Sequence, residues 1–139
     1  MTKESRLMSG IILLTVPTII FGGNFQLGLL SGSYPEMELT AFQQSMFRAG
    51  HGHAGVLVIL ALIAQFLVDQ SDLSHRWRWI VRAGFPFAAI LVSGGFFAAA
   101  AGRGISAPNG FIVILYLGMV VLAISLVALG IGLVRGRQD

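Results

Sequence analysis

The chain contains no cysteine. That excludes disulfides, thiolate metal sites, covalently attached c-type haem and cysteine nucleophiles. Charge is scarce as well. Only 11% of residues are Asp, Glu, Lys or Arg, where a soluble domain carries about a quarter. No basic cluster interleaved with aromatics is present, so nucleic acid is not an expected partner. No stretch reads as a soluble domain, a linker or a low-complexity segment. No serine stands in a nucleophile-elbow context, so no catalytic residue is assigned, although Glu36 or Glu38 beside His51 would be the nearest to a charge-paired histidine.

What is present is apolar length. Hydrophobic residues make up 55% of the chain, and they are grouped in long runs, which makes a lipid bilayer the expected surroundings. Four spans are expected, at about residues 8–30, 48–68, 79–101 and 108–134, forming one transmembrane domain over 1–139. The first run follows Lys3 and Arg6 as a signal peptide would. It is longer than a signal h-region and lacks an A-x-A cleavage site, so it is expected to be a span. The fold class is therefore all-α, an integral membrane four-helix bundle.

Cations set the expected orientation. Lys3, Arg6, Arg76, Arg78, Arg82, Arg135 and Arg137 fall on one side, and Arg48 and Arg103 on the other. By the positive-inside rule both termini are cytoplasmic, in a multi-pass protein of the inner (plasma) membrane. Trp77 and Trp79 among Arg76, Arg78 and Arg82 read as an interfacial belt.

Local signals refine the spans. Pro17 should disturb the helix of span one. Asn24, expensive at membrane depth unless paired, shares a face with Pro17, Gly28 and Ser31, and Gln26 lies close by. Residues 31–46 form a polar loop with a turn at Ser33-Tyr34-Pro35, Glu36 and Glu38 as its acids, and a short interfacial helix over 39–46. Pro108 suits the first turn of span four. Gly118, Ser125 and Gly132 recur every seven residues, a small-residue seam for left-handed helix packing.

The candidate site is Phe47-Arg48-Ala49-Gly50-His51-Gly52-His53-Ala54-Gly55, at the outer end of span two. On a helical wheel, Arg48, Gly55, Leu62, Gln65 and Asp69 lie within about 60° of His51, and this polar face should point into the bundle. His53 lies about 200° away, so two histidines at i and i+2 cannot chelate one ion from within a helix. If the helix began only after His53, the pair would lie in an extended, glycine-rich entry and could bind a transition metal together. Arg48, Arg103 and Asn109 could hold an anion at the same mouth, such as a haem propionate, a lipid headgroup or a substrate carboxylate. Both arginines also suit interfacial anchors that snorkel.

His51-Gly52-His53 followed by an apolar helix resembles the H-x-H helix of haem-copper oxidase subunit I, and the haem-ligating helix starts of nitric oxide reductase-like proteins. The resemblance implies His51 and His53 as axial haem ligands on opposite faces of one helix. As a whole the chain resembles uncharacterised small bacterial four-span membrane proteins with a His-rich second helix. The Arg48-to-His51 spacing is faintly similar to glutathione-linked membrane transferases, whose downstream acid and Asn pattern is missing. Small multidrug exporters of this size need a glutamate within span one, and Glu4 precedes the expected span.

Three functional readings follow. The first is a haem- or transition-metal-binding membrane protein linked to respiratory or redox chemistry, with His51, His53, Arg48 and Arg103 at the cofactor. The second is a structural accessory subunit of a larger complex. The third is a small-solute carrier or sensor whose polar lining includes Asn24, Gln26, Glu36, Glu38 and Asn109. Each lives in lipid, as a homo-oligomer or a subunit of a larger assembly, because four thin Gly-rich helices bury little surface alone.

Overall fold

A computed structural model describes residues 1–34 and 36–136. Pro35 of the expected turn and Arg137 of the cation tally lie outside them. Among the described residues there are four helices: α1 (Lys3–Leu30), α2 (Ala41–Asp69), α3 (His75–Ala99) and α4 (Ile112–Arg135). All four are long and apolar enough to cross a membrane. They alternate in direction. The start of α1, the end of α4 and the 70–74 turn share one end of the bundle, the terminal end, and the connections from α1 to α2 and from α3 to α4 share the other, the loop end.

The helix starts differ from expectation, each for a local reason. α2 begins at Ala41 rather than Arg48, and the interfacial helix expected over 39–46 is its first turns. Thr40 and Gln43 form a capping box: the Thr40 hydroxyl accepts from Gln43 N at 3.1 Å, and Gln43 Oε1 accepts from Thr40 N at 3.1 Å. Two otherwise unsatisfied amides are thereby paired. α1 begins at Lys3 because Thr2 caps it, accepting from Ser5 N at 3.2 Å. α4 begins after Pro108, not at it. Asn109 Oδ1 accepts from Phe111 N at 2.9 Å, an Asx-type turn that holds the chain out of the helix until Ile112.

Packing is by close approach of small residues, the usual device where lipid supplies no hydrophobic drive between helices. A Cβ built on Gly118 would lie 2.7 Å from Val92 N, and one on Gly132 would lie 2.6 Å from Leu73 Cγ. Ser125 Oγ faces Gly84. All three members of the seven-residue seam therefore face α3 or the 70–74 turn. α3 is flanked by α2 and α4. α1 leans on α2 and touches α3 briefly, and among the described residues α1 and α4 do not meet.

The core is not central. Ile12, Ala61, Ala64, Val68, Val81, Phe85 and Leu129 form its main cluster. All four helices contribute, and most of these residues lie in the half nearer the terminal end. A smaller cluster of Leu57, Ala89 and Val92 continues towards the loop end, where α1 contributes no buried apolar side chain.

Candidate functional site

Both histidines lie well inside α2. No extended entry segment exists to let them chelate one ion, and they face different neighbours. His51 turns to α1: a Cβ on Gly23 would lie 2.8 Å from its Cε1 and 2.9 Å from its Nε2. Glycine at 23 is what admits the ring, and α1 covers its Nε2 edge. His53 is exposed, and its ring packs against Phe96 of α3, with centroids 4.9 Å apart and planes tilted by 31°. Its Nδ1 lies 2.7 Å from the carbonyl of Ala49, one turn earlier. A carbonyl only accepts, so Nδ1 carries the proton. In the neutral ring this leaves the lone pair on Nε2, away from the helix. Among the described residues no group of three or more His, Cys, Asp or Glu could hold a metal ion.

The other expected site residues disperse. Arg48 is exposed on α2. Arg103 lines a cavity of about 780 Å³ at the loop end, together with Glu36, Glu38, Gln43, Phe25 and Phe47. Arg48, His51 and His53 do not line it. Asn24 is exposed, not turned into the bundle, and Gln26 is the buried polar residue of that stretch, with no partner for its Nε2. Asn109 is structural: its Nδ2 donates to Ala98 O at 2.9 Å and Ala101 O at 3.2 Å, and its N–H donates to Ala99 O at 2.9 Å. Gln43 Nε2 completes the capping of α3 by donating to Ala100 O at 3.0 Å and Gly102 O at 2.7 Å. The carbonyls at and just beyond the C-terminus of α3 are thus met partly by side chains, those of Asn109 and Gln43, and partly by the backbone N–H of Asn109.

The densest polar constellation is at the opposite end. Arg82, read from sequence as an interfacial cation, is buried at 3% exposure. It pairs with Asp69 at 2.5 Å. Its guanidinium also donates to Ser5 Oγ, to Gln65 O at 3.3 Å and to Thr2 Oγ1 at 3.4 Å. Ser5 Oγ lies 2.8 Å from Asp69 Oδ1 and 3.0 Å from Gln65 O, and its single proton serves one at a time. Asp69 Oδ2 accepts from Thr2 N at 3.0 Å. The knot ties α1, α2 and α3 together.

Gln65 extends the knot into α3. Pro86 has no N–H, so the carbonyl of Arg82, four residues earlier, loses its helical donor. Gln65 Nε2 replaces it at 3.2 Å and also donates to Ala61 O at 3.1 Å. The sequence signal for this was Pro86 itself, but the donor lies on another helix.

Comparison of the chain with protein-family models, with curated proteins and with solved structures yields no match. What defines it is therefore its own architecture: a four-helix bundle with four apolar candidate membrane spans.

Proposed function

We propose that the protein is a multi-pass protein of the plasma membrane, both termini cytoplasmic, that offers His53 as an axial haem ligand at an interface with a second copy or another subunit, in respiratory or redox chemistry. The observation that carries this reading is the His53 hydrogen bond. An imidazole whose Nδ1–H is held by a backbone carbonyl keeps the tautomer and orientation that metal-ligating histidines use. The residue is exposed and stands about 7.5 Å further along the axis than Arg48 at about 1.5 Å per residue. A bare imidazole on a lipid-facing surface is costly and needs a partner. Phe96 steadies the ring on one side, and Gly52 next to it leaves open space on the other. A bound haem would supply one-electron chemistry, and the chain would supply ligand and orientation.

His51 does not share this role. Its Nε2 edge abuts Gly23, so ligation there would require α1 to move. The orientation follows from Lys3, Arg6, Arg76, Arg78 and Arg135 at the terminal end. The reading is tested by loading the detergent-purified protein with haem and recording its spectrum. A Soret band shifted by axial ligation should form in the wild type and in His51→Ala and be lost in His53→Ala. A spectrum of free haem in all three would reject it.

The accessory-subunit reading has one observation of its own. Asn24 and Pro17 are exposed on α1, the helix with the fewest neighbours. A lipid-facing Asn at this depth is stabilised by a partner helix. Purification in mild detergent should then yield stoichiometric partners that Asn24→Leu releases, and a partner-free protein would remove this reading.

A further inference from the structure

The packing of α3 on α4 is tight near the loop end and open near the terminal end. Towards the loop end Gly95 and Gly118 let the two backbones meet, against Leu115 and Val92. Towards the terminal end Gly132 of α4 takes the Leu73 side chain of the 70–74 turn instead. A groove lies between the helices there. Its wider part, about 680 Å³, runs along Ala123, Val127, Ala128 and Ile131 of α4 and Trp77 of α3. A hollow of about 340 Å³ lined by Ile80, Gly84 and Phe87 continues it, and Ile124 lines both. The groove is on the surface of the bundle, since Trp77, Ile80, Phe87, Ile124, Val127 and Ile131 are all exposed.

Its mouth at the terminal end is charged. Asp72 and Arg135 both line it, and both are exposed. Among the described residues the one ion pair is that of Arg82 with Asp69, so these two opposite charges share a rim without pairing. Asp72 sits against the end of α4. Its N–H donates to Gly132 O at 2.9 Å, and its Cβ lies 3.5 Å from where a Cβ on Gly136 would stand. A carboxylate beside the negative end of a helix dipole favours a cation. Arg135, in the last turn of the same helix, favours an anion. Trp77 in the lining suits headgroup depth. The α4 wall from Arg135 to Val121 is about 21 Å long at about 1.5 Å per residue. One bilayer leaflet with its headgroup layer measures about 20–22 Å.

We propose that this groove binds a zwitterionic phospholipid with a primary ammonium headgroup, of the phosphatidylethanolamine kind. Its phosphate meets Arg135, its ammonium donates to the Asp72 carboxylate, and one acyl chain lies along the groove towards Phe87 and Val121. Charge complementarity selects this occupant. An anionic headgroup such as phosphatidylglycerol has no cation for Asp72. A choline headgroup has the charge but no N–H to donate. An apolar helix of a partner protein would leave both rim charges unanswered. The proposal rests on the membrane location proposed above and shares no residue with the haem site.

The test uses the full chain, extracted in mild detergent and stripped of lipid. It is titrated with phosphatidylethanolamine, phosphatidylcholine and phosphatidylglycerol of identical acyl chains, and bound lipid is counted by native mass spectrometry. The wild type should bind phosphatidylethanolamine about fivefold more tightly than the other two, the size of effect an interfacial ion pair gives. Asp72→Asn should abolish that preference, and Arg135→Gln should weaken binding of all three. Ala123→Phe, at an exposed position in the lining, should displace the lipid with the fold intact, as circular dichroism checks. Equal affinity for the three lipids in the wild type, or a preference that survives in Asp72→Asn or in Ala123→Phe, would overturn the proposal. So would a lipid-free dimer that Ala123→Phe disperses, which would assign the groove to a second copy. A chain that stays in solution without detergent would overturn the membrane location as well, whereas a detergent-dependent chain with no lipid preference would overturn this proposal alone.

Discussion

The two ends of this bundle solve opposite problems with the same kinds of residue. At the terminal end a cation and an acid, Arg82 and Asp69, are buried and mutually satisfied, with Ser5, Thr2 and Gln65 filling the remaining positions. In the half of α2 nearer the loop end, close to its middle, two basic groups within one helix turn, His51 and His53, are left without charged partners. One is wedged against a glycine, and the other presents a free nitrogen to the outside. Polarity at the terminal end is spent on holding helices together, whereas the two imidazoles have no charged partner among the described residues. The difference teaches that a polar residue in a membrane helix is informative through its unused valence rather than its presence.

That contrast can be broken by substitution, beginning with the largest effect. Arg82→Leu or Asp69→Leu alone should cost about 3–5 kcal/mol, because each strands a buried charge. The double variant should recover much of that loss, since two apolar side chains replace a satisfied pair. Equilibrium unfolding in mixed micelles measures all three, and additive single losses would contradict the coupling. Next comes Gly118→Leu, whose side chain must enter the α3 backbone at Val92. Overpacking of this kind costs about 1–3 kcal/mol, and cross-linking efficiency between α3 and α4 should fall with it. Gln43→Ala should cost on the order of 1 kcal/mol by opening the α3 carbonyls and the α2 cap. Faster hydrogen exchange at residues 98–105 reports that loss, and unchanged exchange there would show that Gln43 is not the clasp described. The smallest stability effect belongs to His53→Ala, within about 0.5 kcal/mol, because an exposed ring bonded to its own helix has only the partly exposed Phe96 contact to lose. A loss as large as that of Arg82→Leu would erase the distinction between the ends.

Much of the fold was legible in the sequence. Four apolar runs, a seven-residue small seam and the polar 31–46 and 102–110 segments give the four helices and their contacts, because lipid allows few alternatives to a spanning helix. The starts were less legible. Thr40 and Gln43 carry a capping-box spacing, yet 39–46 read as a separate interfacial helix, because its polar Gln43, Gln44 and Ser45 set it apart from the apolar run that follows. Arg82 was misplaced for a geometric reason. Read along the chain, it belongs with Arg76 and Arg78 at a membrane edge. In a helix, however, side chains lean towards the N-terminus, so a long arginine in the second turn of α3 reaches back to the end where α2 terminates at Asp69. The wheel did place Gln65 and Asp69 on the His51 face; His51 and Asp69 turn to α1, while the Gln65 side chain turns to α3. Asn24 failed the same treatment because α1 touches little beyond α2, so a face defined by small residues has no neighbour within this chain to meet. The free Nε2 of His53 was not legible at all, since it depends on the ring finding the Ala49 carbonyl and Phe96.

The most direct measurement reads both ends at once in one set of variants. Wild type, His53→Ala and Arg82→Leu are loaded with haem, and the Soret band and the unfolding free energy are recorded on the same samples. The account predicts that His53→Ala loses the ligated Soret band and keeps its stability, while Arg82→Leu loses stability and keeps the band wherever it remains folded. A ligated band that survives in His53→Ala, or stability that falls with it as far as in Arg82→Leu, would contradict the division of roles between the two ends.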